Sequence, residues 1–290
     1  MKIMRFIGIV FALFSAGSPS DTSAQDSGKK YKVYMVSNSH LDTQWRWDVK
    51  ATIDDYLYNT AVQNLALLGK YPHYVFNFEG AVKYEWIKEY YPHLFERIRK
   101  FVADGGWNIS GASFEANDPN MPSSESFIRN ILLAQEFYKK EFGIKSKDMF
   151  LPDCFGFSQV MPTLGHHCGL IGFSTQKLSW RTEPLVGDSK TPFPLGLWEG
   201  VDGARIMVAL EPGRYSWNEF PEGDLSANEE LAESARKSPF GIAYRYYGNK
   251  LANGAGDHGG SALPRSIQLL EEGITNGKGP VQLVSATSSQ

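Results

Sequence analysis

Short apolar runs separated by longer helical patterns make up the first part of this sequence. Each run has the length and the apolar or alternating composition of a strand, and most are short enough to be buried in a parallel sheet. Strands that alternate with helices are typical of α/β proteins. The pattern therefore predicts an α/β fold, with a mostly parallel sheet or a distorted β/α barrel and the helices on the outside. The five runs are residues 31–36, 74–79, 107–113, 148–153 and 172–178.

Three segments between these runs have the apolar spacing of helices. Residues 54–68 begin at an aspartate pair able to cap a helix and end before Gly69. Residues 84–104 are interrupted by Pro92, which is expected to divide them into two helices. Residues 124–142 follow a serine that can cap their first turn. We therefore predict helical structure over all three segments.

Glycine and proline punctuate the sequence after residue 180. Residues 197–210 are typical of a hairpin that turns at Asp202-Gly203, and residues 225–240 have the pattern of an amphipathic helix. Residues 253–265 are predicted as a flexible, glycine-rich loop. Glycines allow a backbone to approach a ligand closely, but they also mark ordinary surface turns, so both interpretations of this loop stay open.

The first 24 residues resemble a secretory signal peptide. Two basic residues, Lys2 and Arg5, precede an apolar run over residues 6–17, and small polar residues follow. The run is too short to span a bilayer comfortably, and no later segment approaches that length. We therefore predict that residues 1–24 are removed and that residues 25–290 are exported to the periplasm or the extracellular space. An uncleaved membrane anchor is the alternative.

Composition excludes several classes of protein. A hydrophobic content of 42% excludes a disordered chain. A net charge of −3 with scattered basic residues provides no positive field for nucleic acid. The two cysteines, Cys154 and Cys168, are too few for a disulfide scaffold, and they either pair or remain buried thiols. A structural zinc site formed by residues 165–169 with Cys154 is a further hypothesis, but its spacing fits no usual zinc framework.

Polar side chains follow three of the predicted strands at their carboxyl ends. Ligands of α/β folds bind at this edge of the sheet, because the parallel strands all end there. The clustering therefore predicts a shared active site. The residues are His40 and Asp42 after the first strand, Glu115 and Asp118 after the third, and Asp153 at the end of the fourth.

The first of these groups combines a histidine, a carboxylate and an aromatic side chain. Because side chains alternate along a strand, His40 and Asp42 are expected to point the same way, with Trp45 following as the chain turns. Such an arrangement fits one bound cation beside a flat apolar surface. The same residues also fit a structural histidine bonded to an aspartate and a tryptophan in the core.

Four segments carry a more specific signal together than any one of them does alone. They are HLDTQWRW (40–47), SFEANDPNMPSSESFIRN (113–130), LPDCFGFS (151–158) and GAGDHGG (254–260). In this order and spacing they resemble the glycoside hydrolase family 38 α-mannosidases. The resemblance implies a zinc-dependent retaining enzyme that hydrolyses terminal α-mannosides of glycans through a covalent glycosyl-aspartate intermediate. It also implies that this α/β domain is the N-terminal portion of a larger multidomain enzyme.

The resemblance implies a role for individual residues. His40, Asp42 and Asp153 would bind one zinc ion, and Asp153 would also be the nucleophile. Asp257 would be the acid/base carboxylate. Retention requires two such carboxyl groups about 5 to 5.5 Å apart. The residues that would contact the sugar are Trp45, as the floor of the mannose pocket, and Phe155. Independently of the resemblance, Glu115 and Asp118 are reserve candidates for the acid/base role or for hydrogen bonds to sugar hydroxyl groups.

The sequence departs from the family in two respects. The family is much longer and takes its remaining zinc-binding histidine from a later part of the chain, whereas no histidine follows His258 here. The resemblance therefore implies an incomplete catalytic domain, with that ligand beyond Gln290. In addition, a small residue is expected at the position of His258, directly after Asp257.

Two other functions use the same residues. A metal-dependent carbohydrate deacetylase would hold a zinc ion with His40, Asp42 and Asp153 for attack of water on a carbonyl group, although such sites usually have more histidine ligands. An inactive carbohydrate-binding fragment would retain the metal and Trp45 without turnover.

Overall fold

The computed structural model describes residues 30–179, 193–210, 217, 219–238, 240–248 and 257–290. The predicted signal peptide and residues 253–256 of the predicted glycine-rich loop lie outside these ranges. Within the described ranges, no helix is both long and apolar enough to cross a bilayer.

Strands and helices alternate along the described residues. The strands are β1 Tyr31–Asn38, β2 Phe76–Phe78, β3 Trp107–Ile109, β4 Asp148–Phe150, β5 Gly172–Thr175, β6 Leu195–Glu199, β7 Arg205–Leu210, β8 Ile242–Gly248 and β9 Val281–Ser285. The helices are α1 Val49–Ala51, α2 Tyr58–Lys70, α3 Ala81–Tyr90, α4 Pro92–Ala103, α5 Ser124–Phe142, α6 Met161–His167, α7 Glu229–Lys237 and α8 Pro264–Asn276. A π-helical segment, Thr52–Leu57, joins α1 to α2, and short 3₁₀ turns span Lys177–Ser179 and Leu225–Ala227.

Two sheets form the centre of the fold. The five-stranded sheet has the order β3-β2-β1-β8, with β9 also paired to β1, and all of its strands are parallel. The four-stranded sheet has the order β4-β5-β7-β6, in which β6 runs antiparallel to β7. The predicted α/β fold with a mostly parallel sheet is confirmed.

The two sheets adjoin where β3 ends and β4 begins. The backbone N–H of Ala112 donates to the carbonyl oxygen of Asp148 at 2.8 Å. On the inner side, the rings of Phe150 and Tyr246 meet with centroids 5.5 Å apart, which joins β4 to β8. On the other face of β1, the buried side chain of Met35 belongs to the large apolar cluster, which also contains side chains from the helices. A small buried cluster formed by Val36, Phe150, Tyr246 and Ala286 therefore joins the two sheets.

The predicted start of the first helix is wrong. The helix begins at Val49, and the carboxylate of Asp48 accepts a hydrogen bond from the backbone N–H of Ala51 at 2.8 Å. The aspartate pair expected to cap the helix lies inside the π-helical segment. A cap must precede the first turn, and Asp48 is placed to do so because its backbone is extended.

The predicted end of the first helix before Gly69 is wrong, because α2 continues to Lys70. The helix predicted over residues 225–240 is shorter and corresponds to α7, Glu229–Lys237.

The boundaries predicted at Pro92, Ser123, Gly143 and Gly203 agree with the structure. Pro92 separates α3 from α4 and occupies the first turn of α4. Ser123 caps α5 by accepting from the N–H of Ser126, and Gly143 ends it with a φ of 74°. The hairpin of β6 and β7 turns through Gly203, whose φ is 82°.

Four elements were not identified from the sequence. These are α6, β8, α8 and β9. Aromatic and alternating residues of β8 and the amphipathic pattern of α8 were usable signals. The omission matters because β8 pairs with β1 from Lys32 to Asn38 and so fixes the strand that leads into the predicted site.

Candidate active site

His40 lies directly beyond the carboxyl end of β1 and is buried, with 4% of its surface exposed. Its backbone forms a short antiparallel contact with the segment around His258. The N–H of Gly259 donates to the carbonyl oxygen of His40 at 2.9 Å, and the N–H of Asp42 donates to that of Asp257 at 3.0 Å. These two bonds attach the segment that carries Asp257 to the segment that carries His40 and Asp42.

Three carboxylates surround the Nε2 atom of His40. This nitrogen lies 3.2 Å from Oδ1 of Asp42, 3.6 Å from Oδ2 of Asp153 and 3.8 Å from Oδ1 of Asp257. Burial alone would lower the pKa of the imidazole, but hydrogen bonds and charges from Asp153 and Asp42 outweigh it and raise the pKa to about 10. In the metal-free protein, His40 is therefore a buried cation among acids.

Asp153 has a second cationic partner, which the sequence analysis missed. The ammonium group of Lys177 contacts Oδ1 of Asp153, and the Lys177 side chain is almost completely buried. Burial raises the pKa of Asp153, but His40 and then Lys177 lower it below its usual value. The position of Lys177 just after β5, at the same sheet edge as the acids, was a usable signal.

The nitrogen and oxygen atoms at this edge form a possible metal site. Within the described ranges, the set of three donors whose atoms all lie within 4.8 Å of one another consists of His40, Asp42 and Asp257. Asp153 is adjacent to His40 but is not a member of this set. One imidazole nitrogen and several carboxylate oxygens are suitable ligands for a divalent cation such as zinc. The residues present therefore fit a metal ion.

Aromatic side chains lie on the segments next to this cluster. Trp45 is 56% exposed, and its ring meets the edge of Trp47 with centroids 6.0 Å apart. The guanidinium of Arg46 lies 4.3 Å from the Trp45 ring centroid. Phe155 is 43% exposed, and the Lys177 ammonium lies 4.6 Å from its ring centroid. Both Trp45 and Phe155 are thus accessible to a ligand rather than part of the core.

Glu115 and Asp118 lie on the loop between β3 and α5. Burial raises the pKa of Glu115, while nearby Lys83 and a hydrogen bond from Thr43 oppose that rise. The contact with Thr43 links Glu115 to the segment that carries His40 and Asp42. Asp118 accepts a hydrogen bond from the backbone N–H of Asn120 at 2.8 Å, which is a local turn contact.

The two cysteines and the histidine pair at residues 166–167 take no part in this site. Cys154 and Cys168 are free thiols, so the possible disulfide is not formed. His167 pairs with Asp202 at 2.8 Å on the surface. None of these residues belongs to a possible metal-binding group among the described residues, so the second zinc hypothesis is not supported.

Comparison with known proteins identifies the family of this chain. The family model for the glycosyl hydrolases family 38 N-terminal domain matches residues 30–287. The chain belongs to glycoside hydrolase family 38. Alpha-mannosidase 2C1 of Homo sapiens is 32% identical over 259 residues, which are 88% of this chain and 23% of that protein. Alpha-mannosidase of Saccharomyces cerevisiae is 32% identical over 240 residues, which are 82% of this chain and 21% of that protein.

A solved alpha-mannosidase structure has a similar fold. The crystal structure of an alpha-mannosidase from Enterococcus faecalis V583 superposes with a TM-score of 0.72 and 23% identity, and the match covers 89% of this chain and 28% of that chain. The chain spans less than a quarter of the length of the human and yeast alpha-mannosidases described above. The predicted family is confirmed.

Proposed function

We propose that this chain carries the catalytic site of a retaining α-mannosidase that hydrolyses terminal α-mannosides of glycans. The observation that carries the proposal is the meeting of Asp42, Asp153 and Asp257 at the buried Nε2 of His40. Membership of family 38 and the names of the relatives support mannose as the sugar.

Asp153 is the proposed nucleophile. A nucleophilic carboxylate must be ionised at the working pH, and the lowered pKa of Asp153 meets this condition. Lys177 holds one carboxylate oxygen and thereby fixes the orientation of the group. The other oxygen of Asp153 attacks the anomeric carbon and forms a covalent glycosyl ester.

Asp257 is the proposed acid/base residue. In the first step it donates a proton to the leaving glycosidic oxygen, and in the second it removes a proton from the water that hydrolyses the ester. Asp257 and Asp153 share His40 as a neighbour, so the two carboxylates lie at one site. Trp45 offers an exposed flat surface to the apolar side of the sugar ring.

Zinc is the proposed metal, with His40, Asp42 and Asp153 as its ligands in this chain. When bound, zinc supplies a Lewis acid that holds two adjacent sugar hydroxyl groups. The donor geometry also brings Asp257 near the same ligands, so metal content tests the assignment. We expect Asp153→Asn to weaken zinc binding and Asp257→Asn to retain it. The reverse result would exchange the two roles.

The activity is tested with the full-length protein and an aryl α-mannoside. Release of the aryl alcohol is expected, together with its loss on chelation and in Asp153→Ala. The first sugar product, followed by NMR, should have retained anomeric configuration. Acetate release from an acetylated glycan without glycoside cleavage would instead favour the deacetylase.

Export is a separate proposal. Its support is the basic and apolar composition of residues 1–17. The test is N-terminal sequencing of the protein recovered from the exported fraction. A start near Gln25 is expected, whereas an intact N-terminus in the cell interior would contradict it.

A further inference from the structure

His258, the residue after Asp257, packs against two aromatic side chains. Its imidazole is stacked on Trp47 with ring centroids 4.1 Å apart and an interplanar angle of 28°. The edge of Tyr56 meets the same imidazole at 4.8 Å and 83°. Two ring contacts of this kind restrict both the position and the orientation of the imidazole.

Trp47 is itself held in place by the start of the helical segment. Its Nε1 atom donates to Oγ1 of Thr52 at 2.8 Å, and that hydroxyl donates to the carbonyl oxygen of Thr43 at 2.8 Å. Thr52 is fully buried. Tyr56 also packs edge-on against Trp47, with centroids 5.1 Å apart. Trp47, which stacks on His258, is therefore held by the start of the helical segment rather than by a second loop.

Asp257 has a backbone conformation that needs support. Its φ of 67° lies in the left-handed region, which residues other than glycine seldom adopt. The backbone bond from Asp42 holds its carbonyl group, and the antiparallel bridge between Leu41 and His258 holds the next residue. The ring stack adds a side-chain anchor one residue from the carboxylate.

We propose that His258 is a positioning residue whose stacked ring fixes the carboxyl group of Asp257 for proton transfer to the leaving group. This inference rests on the proposed function, in which Asp257 is the acid/base residue. The ring acts through shape and stacking, so the inference requires only an aromatic face at position 258. Trp47 also packs against Trp45, so one side chain supports both the sugar platform and the segment that carries the acid.

The test uses two substrates that differ in their need for an acid. Departure of 2,4-dinitrophenolate from an α-mannoside needs no proton, whereas departure of methanol from methyl α-mannoside does. The quantity kcat/KM reports the steps up to formation of the glycosyl-enzyme, so it isolates acid catalysis from later hydrolysis. Loss of positioning should therefore lower kcat/KM for the methyl substrate selectively.

We expect His258→Ala to lower kcat/KM for methyl α-mannoside by about 10-fold or more and to change that for the dinitrophenyl substrate by less than about 3-fold. His258→Phe keeps an aromatic face and should restore most of the loss. His93→Ala, a change of an exposed histidine on α4, is the matched control and should alter neither value. Should the alanine variant fail to fold, His258→Gln, which is polar and lacks a ring, takes its place.

The outcomes separate the inference from the proposed function. Equal losses on both substrates, no loss on the methyl substrate, or no restoration by His258→Phe would overturn the positioning role. If the wild-type protein releases no dinitrophenolate from the α-mannoside, the proposed function itself fails. A selective loss of kcat/KM for the methyl substrate in His258→Ala, together with its restoration in His258→Phe, supports the inference. A general role in folding would lower kcat/KM for both substrates.

Discussion

At the scale of single residues, the site is a buried imidazole among carboxylates, and the protonation of this imidazole would be coupled to the proposed metal binding. His40 has a pKa of about 10 in the metal-free protein, so its ring carries a proton at neutral pH. A metal ion binds the neutral ring and must displace that proton. Metal affinity should therefore rise as the pH is raised from 7 towards 10.

Calorimetry measures this coupling directly. Titration of the metal-free protein with zinc at pH 7, in buffers of different ionisation enthalpy, should show release of about one proton per ion. Binding without proton release would mean that His40 is neutral before the metal arrives, or that it is not a ligand.

Lys177 provides a second prediction at this scale. The proposed nucleophile Asp153 must be ionised to attack, so activity is expected above its pKa and should be lost as the pH falls through it. Removal of the adjacent ammonium in Lys177→Met should raise that pKa. The acidic limb of the pH profile of kcat/KM should shift upward accordingly. Lys88→Met removes a surface ammonium that pairs with Glu141 at 2.7 Å and should leave the limb unchanged. An unshifted limb in Lys177→Met would show that Lys177 does not set the charge of Asp153.

At the scale of elements, backbone conformation decides which glycines are required. Gly143 ends α5 with a φ of 74°, whereas Gly69 lies within α2, and a Cβ atom at either would meet nothing within 4 Å. Gly143→Ala should therefore lower the free energy of unfolding by about 1 kcal/mol through strain alone. Gly69→Ala should raise it by about 0.5 to 1 kcal/mol because alanine favours the helix. Chemical denaturation measures the free energy of unfolding of both variants. A change in the same direction for Gly143→Ala and Gly69→Ala would contradict this prediction.

The junction of β2 and α3 contains a buried ion pair. Lys83 donates to Oε1 of Glu79 at 2.8 Å, and both side chains are almost inaccessible. Burial lowers the pKa of Lys83, but the charges of Glu79 and Glu115 and the hydrogen bond to Glu79 together outweigh it and raise that pKa, so the lysine remains charged. Lys83→Met leaves a buried carboxylate without its cation and should lower the free energy of unfolding by about 3 to 5 kcal/mol.

A double variant distinguishes this effect from a loss of packing. Glu79→Leu with Lys83→Met removes both charges, so it should be more stable than Lys83→Met alone. Denaturant unfolding of the three proteins measures the difference. A double variant no more stable than the single one would show that the stranded carboxylate is not the cause of the loss.

At the scale of the whole molecule, the proposed metal ligands come from both sheets. His40 and Asp42 follow β1 in one sheet, and Asp153 follows β4 in the other. An ion bound only by the folded state stabilises it by about 2.7 kcal/mol at a concentration 100 times Kd. Zinc should therefore raise the Tm of the wild-type protein, and Asp42→Ala should abolish the rise. Asp55→Ala, a change of an exposed aspartate, should preserve it. A rise that persists in Asp42→Ala would place the ion elsewhere.

The sequence was sufficient to predict the parts of the molecule that depend on local pattern. The strands before residue 180, the division at Pro92 and the polar groups at the sheet edge follow from periodicity and from the rule that parallel strands end together. The start at Val49 was missed because an aspartate pair was mistaken for a cap. The contact between Lys177 and Asp153 was also missed, since it depends on the pairing of β4 with β5 rather than on nearby sequence.

β1 acquires most of its pairing only after β8 and β9 have been synthesised. Tyr31 faces Val281, and Lys32 faces Ile242, so strands encoded near the two ends of the described chain must meet before this sheet is complete. Contacts between such distant positions slow folding because a long loop has to be closed first. Until then, the apolar residues of β1 have no strand beside them along most of its length, and a growing chain is prone to aggregation at that stage. Folding of this sheet should therefore be completed only after β9 has been synthesised.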